Sequence, residues 1–159
     1  MVNLFRPRKT TPRLERLRNL GLFVNLTPAE LEIVDGLLHE RDYLAGEVIF
    51  DEGEEGQAIY IIADGEVLIC RQGQSDTGRV AQLGAGTFFG ELALLDNAPR
   101  SAQARAATGC RLIVFFRDDF VGLLDTHARI ASKISRELAR HLGARMRDMA
   151  LAHGAHQHL

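Results

Sequence analysis

The chain has 159 residues, of which 46% are hydrophobic and 25% charged, with a formal net charge of -2. That length and apolar content suit one globular domain, large enough to build a core without disulfide or metal staples. No apolar run approaches the ~18 residues that span a bilayer, and the N-terminus lacks the apolar core of a signal segment, so a cytoplasmic protein without a membrane span is expected.

The small net charge hides an asymmetry. Residues 1–18 carry six Lys/Arg against one acid, residues 126–159 six against two, and the stretch between them seven against eighteen. An acidic centre does not draw anions by its bulk field, so an anion site there has to rest on local donors. The basic ends read first as solvated faces, with contact to nucleic acid, anionic lipid or an acidic partner as the alternative.

In chain order, residues 1–12 read as a flexible basic tail punctuated by Pro7 and Pro12. Leu14, Leu17 and Leu20 predict a short helix ending near Gly21. Thr27 as N-cap, Pro28 at the first helical position, Glu30 closing a capping box and Leu26 stapled onto Leu31 predict a helix from Pro28 to about Leu38. From Arg41 to Phe116 the pattern changes to short apolar or alternating runs separated by glycine: Val48–Phe50, Ile59–Ala63, Val67–Arg71, Val80–Leu83, Ala102–Ala106 and Leu112–Phe116. This pattern predicts an antiparallel barrel or sandwich. Asp64-Gly65 reads as a hairpin turn, and the polar segment Gln72–Gly78 as an exposed hairpin tip. Cys70 and Cys110 fall in strand-like runs at no metal-type spacing and read as reduced core residues, with a disulfide between them the alternative.

Asp118 and Asp119 open a helix with Phe120, Leu123 and Leu124 on one face. A second helix follows from about His127 to Met149, with Ile130, Ile134, Leu138, Leu142, Met146 and Met149 at steps of three or four. At 1.5 Å per residue it reaches ~35 Å, longer than the barrel face it leaves, so part of it needs another partner: the chain's own barrel, or a second copy across a two-fold axis. The expected organisation is the tail over 1–12 and one domain over 13–150, with helices at 13–40, a barrel at 41–116 and C-terminal helices at 117–150. A His-containing tail follows over 151–159.

The most informative stretch runs from Gly86 to Ala106. Gly90 lets the backbone come close to a ligand and adopt angles closed to other residues. Glu91-Leu92-Ala93-Leu94-Leu95 then predicts a short helix whose first amides lack intrahelical partners and suit a phosphate. Arg100, stiffened by Pro99, presents a planar guanidinium to the same phosphate, and Ser101 and the Ala102 amide add donors. A carboxylate is a poor phosphate contact, so Glu91 reads as the acceptor for a sugar hydroxyl on the same ligand. Taken singly, Glu91 is only a carboxylate at a helix start and Arg100 only a loop charge; the combination points to a nucleotide.

The run Phe-Gly-Glu-Leu-Ala-Leu-Leu, a short loop and Pro-Arg-Ser-Ala resembles the phosphate-binding cassette of cyclic nucleotide-binding domains, and the order of elements matches that family from about Leu20 to about Leu142. The resemblance implies a mainly β fold with flanking helices: a jelly-roll-like antiparallel barrel (a double-stranded β-helix) with N-terminal helices and a long C-terminal helix. It implies that Glu91 holds the ribose 2′-hydroxyl and Arg100 the cyclic phosphate, with Gly90, Leu92, Ala93, Ser101 and Ala102 completing the cradle. It also implies that the long helix covers the base, with Arg140 or His141 near that cover. The expected ligand is cAMP, with cGMP as the alternative, and no cofactor or metal. The expected role is a stand-alone regulatory module whose C-terminal helix signals to an effector protein, with a homodimer through that helix.

Rival readings are weaker. A catalytic site needs a nucleophile with its base or a metal cluster, and neither is evident, so no enzyme is expected. A metal-binding barrel of the cupin type needs histidines inside the barrel, yet none occurs between His39 and His127. His153, His156 and His158 read as a polar tail. A transcription regulator of the catabolite-activator type places a helix-turn-helix after the long helix; only about ten residues follow Met149, too few for a three-helix DNA reader, so specific DNA binding is not expected. A fragment of such a regulator, and a ligand-free interaction module on the same fold, are the alternatives.

Overall fold

Residues 12–71 and 79–156 are described by the structure, a computed structural model; the expected basic tail up to residue 11, the expected hairpin tip at 72–78 and residues 157–159 lie outside the described residues. Within them run strands β1 (His39–Tyr43), β2 (Val48–Phe50), β3 (Ala58–Asp64), β4 (Val67–Cys70), β5 (Arg79–Leu83), β6 (Phe88–Phe89), β7 (Gln103–Ala106) and β8 (Cys110–Phe116). They form two antiparallel sheets, ordered β1-β8-β3-β6 and β2-β7-β4-β5. The chain changes sheet at every step except the β4–β5 hairpin, which makes the barrel a jelly roll.

Alternation in β3 and β8 decides the layering. Side chains of a strand point to opposite faces in turn. In β3, Tyr60 and Ile62 join Val67, Phe89 and Ala104 between the sheets, while Ile59 and Ile61 face the helices; in β8, Leu112 and Val114 point inward, and Ile113 and Phe115 outward. The register sets like against like, with Ile59 opposite Phe115 and Tyr60 opposite Val114. Both strands are therefore buried on both faces, which is why they read as nearly continuous apolar runs.

The outer layer consists of α1 (Pro12–Arg18), α2 (Pro28–Asp35), α3 (Arg117–Thr126) and α4 (Ala128–His156), with 3-10 turns at Gly21–Phe23 and Glu91–Leu94. Leu22, Phe23, Leu31 and Val34 meet Phe120, Leu123, Ile130, Ile134 and Leu138 over the outward side of β3 and β8. α4 is 29 residues long and so about 43 Å in length. It folds back on its own barrel as far as the partly buried Leu142, whereas Met146 and Met149, expected on the same apolar face, are exposed. The helix also passes the expected end at Met149 and continues to His156, so the expected tail over 151–159 begins within a helix.

Other boundaries differ for physical reasons. Strand β1, His-Glu-Arg-Asp-Tyr, offered no apolar alternation because it is a solvated sheet edge, where charges discourage pairing with another chain. α2 stops at Asp35, with Gly36 as its C-cap. Gly65 turns the chain at φ +94, but the expected hairpin is not formed: β3 and β4 belong to different sheets, so the turn carries the chain across from one sheet to the other. Cys70 and Cys110 are both free thiols.

The capping box of α2 also ties the two helical ends of the chain together. Thr27 N–H donates to Glu30 Oε1 at 2.9 Å and Glu30 N–H to Thr27 Oγ1 at 3.2 Å, while Lys133 of α4 donates to the same Glu30 oxygen at 2.5 Å. Burial opposes the Glu30 charge, but the bonds from Lys133 and Thr27 outweigh it and hold the carboxyl below its ordinary value of 4.5. A carboxyl that ionises more readily folded than unfolded contributes stability that is complete at neutral pH and is lost as pH falls below 4.5 and through the lower folded value. Denaturation of the parent and of Glu30→Gln should accordingly differ at pH 7, and the difference should shrink on acidification toward pH 3.

Candidate functional site

The cassette begins where β6 ends. Gly90 sits in the left-handed region at φ +72, ψ +25 and caps the turn Glu91–Leu94. The expected short α-helix is thus a single 3-10 turn, and this corrects one donor assignment: the Ala93 amide donates to the Gly90 carbonyl at 3.2 Å. The Glu91 and Leu92 amides have no acceptor among the described residues, and neither does that of Ala102. Ala93 and Ala102 are buried, Leu92 and Ser101 exposed.

Arg100 is fixed by backbone pairing between its loop and the segment joining β2 to β3. Its N–H donates to Glu54 O at 2.7 Å, and Gly53 N–H donates to Arg100 O at 2.8 Å. The side chain then turns inward to 9% exposure. Nη2 donates to Ala58 O at 2.7 Å and Nη1 to Gly90 O at 3.2 Å, and the guanidinium carbon lies 4.1 Å from the centroid of Phe50. Phe50 belongs to a three-ring cluster with Tyr60 and Phe89. Burial lowers the Arg100 pKa from its ordinary value, against the fields of Tyr60, Glu54 and Glu91. The group stays a cation at neutral pH, and its remaining N–H donors have no acceptor among the described residues.

Glu91 is 4% exposed. Its partner comes from α4, where Arg145 Nη1 donates to Oε1. His141 Nε2 lies 3.8 Å from the same oxygen, with its ring 4.3 Å from that of Phe88, and burial lowers the His141 pKa despite the Glu91 carboxylate. The two helix residues named from the sequence therefore part company. His141 reaches the cassette, while Arg140 is exposed and donates to Glu137 at 2.6 Å.

Three contributors went unread in the sequence. Arg145 lies one turn beyond His141 on the face set by Ile130, Ile134 and Leu138, so phasing the helix on its barrel-facing residues finds it. Phe50 was visible only as a strand residue. Arg117, the first residue of α3, places Nη1 among the carbonyls of Gly56 (3.0 Å), Ala93 (3.3 Å) and Asp96 (2.8 Å), stapling the start of the C-terminal helices to the cassette. Three acceptors scattered over the chain leave no local signal.

A buried cation, free amides and one buried carboxylate thus surround one turn, an arrangement suited to an anion carried beside a hydroxyl-bearing group. The model of the cyclic nucleotide-binding domain family matches residues 40–127, which include the whole cassette. The chain is 38% identical over 129 residues to the cyclic AMP receptor protein of Thermus thermophilus, an alignment covering 79% of this chain and 59% of that protein. The crystal structure of the Thermus thermophilus catabolite activator protein superposes with a TM-score of 0.75 at 33% identity, covering 86% of this chain and 63% of that one. The regulatory domain of Toxoplasma gondii PKA, crystallised with cAMP, gives 0.63 at 33% identity, with 72% and 45% covered. The chain belongs to the cyclic nucleotide-binding domain family. It spans less than two thirds of the length of the curated relatives it matches.

Gly90 gives a direct test of the cassette's geometry, since a Cβ there would lie 2.5 Å from Arg100 Nη1 on a backbone that side chains rarely adopt. Gly90→Ala should lower stability by about 1–2 kcal/mol from the left-handed backbone alone, read as a shift of the urea midpoint against the parent.

Proposed function

We propose that this chain is a regulatory module that binds cAMP at the cassette and answers by repositioning α4 against an effector protein. Arg100 takes the cyclic phosphate together with the Glu91, Leu92 and Ala102 amides, and Glu91 takes the ribose hydroxyl. The Ser101 hydroxyl adds a donor, and His141 lies beside the base. The observation that carries the reading is that Arg100, buried and still cationic, keeps free N–H donors next to a turn whose amides lack acceptors. The comparisons support it, because cAMP is named for both the Thermus and the Toxoplasma relatives. The effector is a separate chain or a domain of a longer protein, and the setting is the cytoplasm. Among the described residues no helix is long and apolar enough to cross a membrane.

A thermal-shift panel of cAMP, cGMP and cyclic dinucleotides tests the ligand: cAMP at 100 times its Kd should stabilise the parent by about 2.7 kcal/mol, with the others giving less. Arg100→Ala removes charge-assisted bonds of roughly 1.5–3 kcal/mol each and should weaken cAMP binding at least about tenfold by calorimetry. Binding as tight as the parent's would show that the cassette assignment is wrong.

The homodimer belongs to the same reading. Met146, Met149 and Leu151 are exposed on the part of α4 that extends past the barrel, and a second copy would cover them. Met146→Glu should shift sedimentation toward the monomer while leaving the thermal midpoint of the barrel nearly unchanged.

A further inference from the structure

The Arg100 guanidinium is held at its tip, by one bond on each terminal nitrogen: Nη2 donates to Ala58 O at 2.7 Å and Nη1 to Gly90 O at 3.2 Å. Two bonds through two nitrogens define a line, and a planar group held along a line can still roll about it. Such a roll re-aims the remaining donors, which have no acceptor among the described residues. It is opposed by the flexible stem and by whatever lies against the face of the group. What lies there is Phe50, whose ring centroid is 4.1 Å from the guanidinium carbon, against 5.7 Å for that of Tyr60.

Phe50 is itself firmly placed. It is buried on β2, and its ring lies 5.7 Å from that of Tyr60 and 5.8 Å from that of Phe89, which stack on each other at 5.4 Å with 10° between their planes. These two rings ride on the segments that supply the two carbonyls. Tyr60 follows Ala58 on β3, and Phe89 directly precedes Gly90. Ring face and acceptors are thus parts of one packed unit.

We infer that Phe50 is a positioning residue: its ring face sets the plane of the Arg100 guanidinium, so that the group meets an anion edge on with its unused donors. The inference deepens the cyclic nucleotide reading above and rests on it for the identity of the anion. Phe50 acts through Arg100 and need not touch the ligand. The electron-rich face of the ring attracts the cation, which leucine, an apolar side chain without a ring, cannot do. Affinity should therefore follow the presence of an aromatic ring at this position more closely than it follows the stability of the fold.

The test compares the full chain with Phe50→Leu and Phe50→Tyr. In the NMR spectrum of the ligand-free parent, the Arg100 Nε–H signal, identified by its loss in Arg100→Lys, should lie at a ring-current-shifted position. F50Y should keep that position, and F50L should return the signal to the range of exposed arginines. By calorimetry F50L should bind cAMP roughly three- to tenfold more weakly than the parent, while F50Y stays within about twofold, whatever the order of their urea midpoints. An unshifted Arg100 signal in the parent overturns the inference, and this measurement holds even where F50L does not fold. Parent-like binding by F50L, or equal weakening of F50L and F50Y, overturns it too while leaving cassette binding standing. If the parent binds no cyclic nucleotide, the functional reading fails, and the NMR comparison still decides whether the ring sets the plane of Arg100.

Discussion

A guanidinium withdrawn from water must be provided for by its surroundings, and the way Arg100 is provided for organises the functional end of this barrel. Two carbonyls, one on β3 and one at the cassette's first residue, take its N–H groups, and the Phe50 ring supplies a face for its charge. Room for the group comes from missing side chains. A Cβ at Gly56 would lie 3.1 Å from Arg100 Nε, and one at Gly90 would meet Nη1. Shifting the cassette relative to β3 would strip a buried cation of its acceptors, so the geometry of the site is held by the protein's own contacts.

The layering puts this site between the two packed layers. Inward residues of β3 and β8 form the barrel core beside Arg100, and their outward neighbours carry the helices. The cassette leaves the first sheet after only two residues of β6, and its turn faces both layers at once: Arg100 reaches Gly90 from the barrel side and α4 reaches Glu91 from the helical side. Arg117 closes the circuit by holding the start of α3 to the carbonyls of Ala93 and Asp96. Movement of the turn is mechanically shared with the helices at two points, one through backbone carbonyls and one through a charge pair. Lys133 on Glu30 anchors the near half of α4 independently of the cassette.

Much of this was legible in the residues in order. The capping box of α2, the glycine turn at Gly65 and the double-faced strands β3 and β8 are local signals, because caps, turns and alternation depend on neighbours a few residues apart. The cassette was legible for the same reason: Gly90, Glu91, Arg100 and Ala102 lie within one short stretch. Strand β1 was not, since a charged edge strand is defined by the strand beside it. Nor was the form of the turn at Glu91–Leu94, where good α-formers adopt 3-10 geometry between a left-handed Gly90 and carbonyls held by Arg117.

The amino-acid order by itself determined the family, the barrel and the pair of opposite charges at its cassette, all of which follow from short-range pattern. Which helix residue answers the carboxylate was decided only by tertiary structure. Arg140 and Arg145 are chemically alike and both sit on one amphipathic helix. The phase at which Ile130, Ile134 and Leu138 lock that helix onto the barrel turns Arg140 toward Glu137 and solvent and Arg145 toward Glu91. The helical repeat puts Arg145 on the face of Ile130, Ile134 and Leu138 and Arg140 off it, but that this face meets the Glu91 carboxylate is set by packing across the whole outer face.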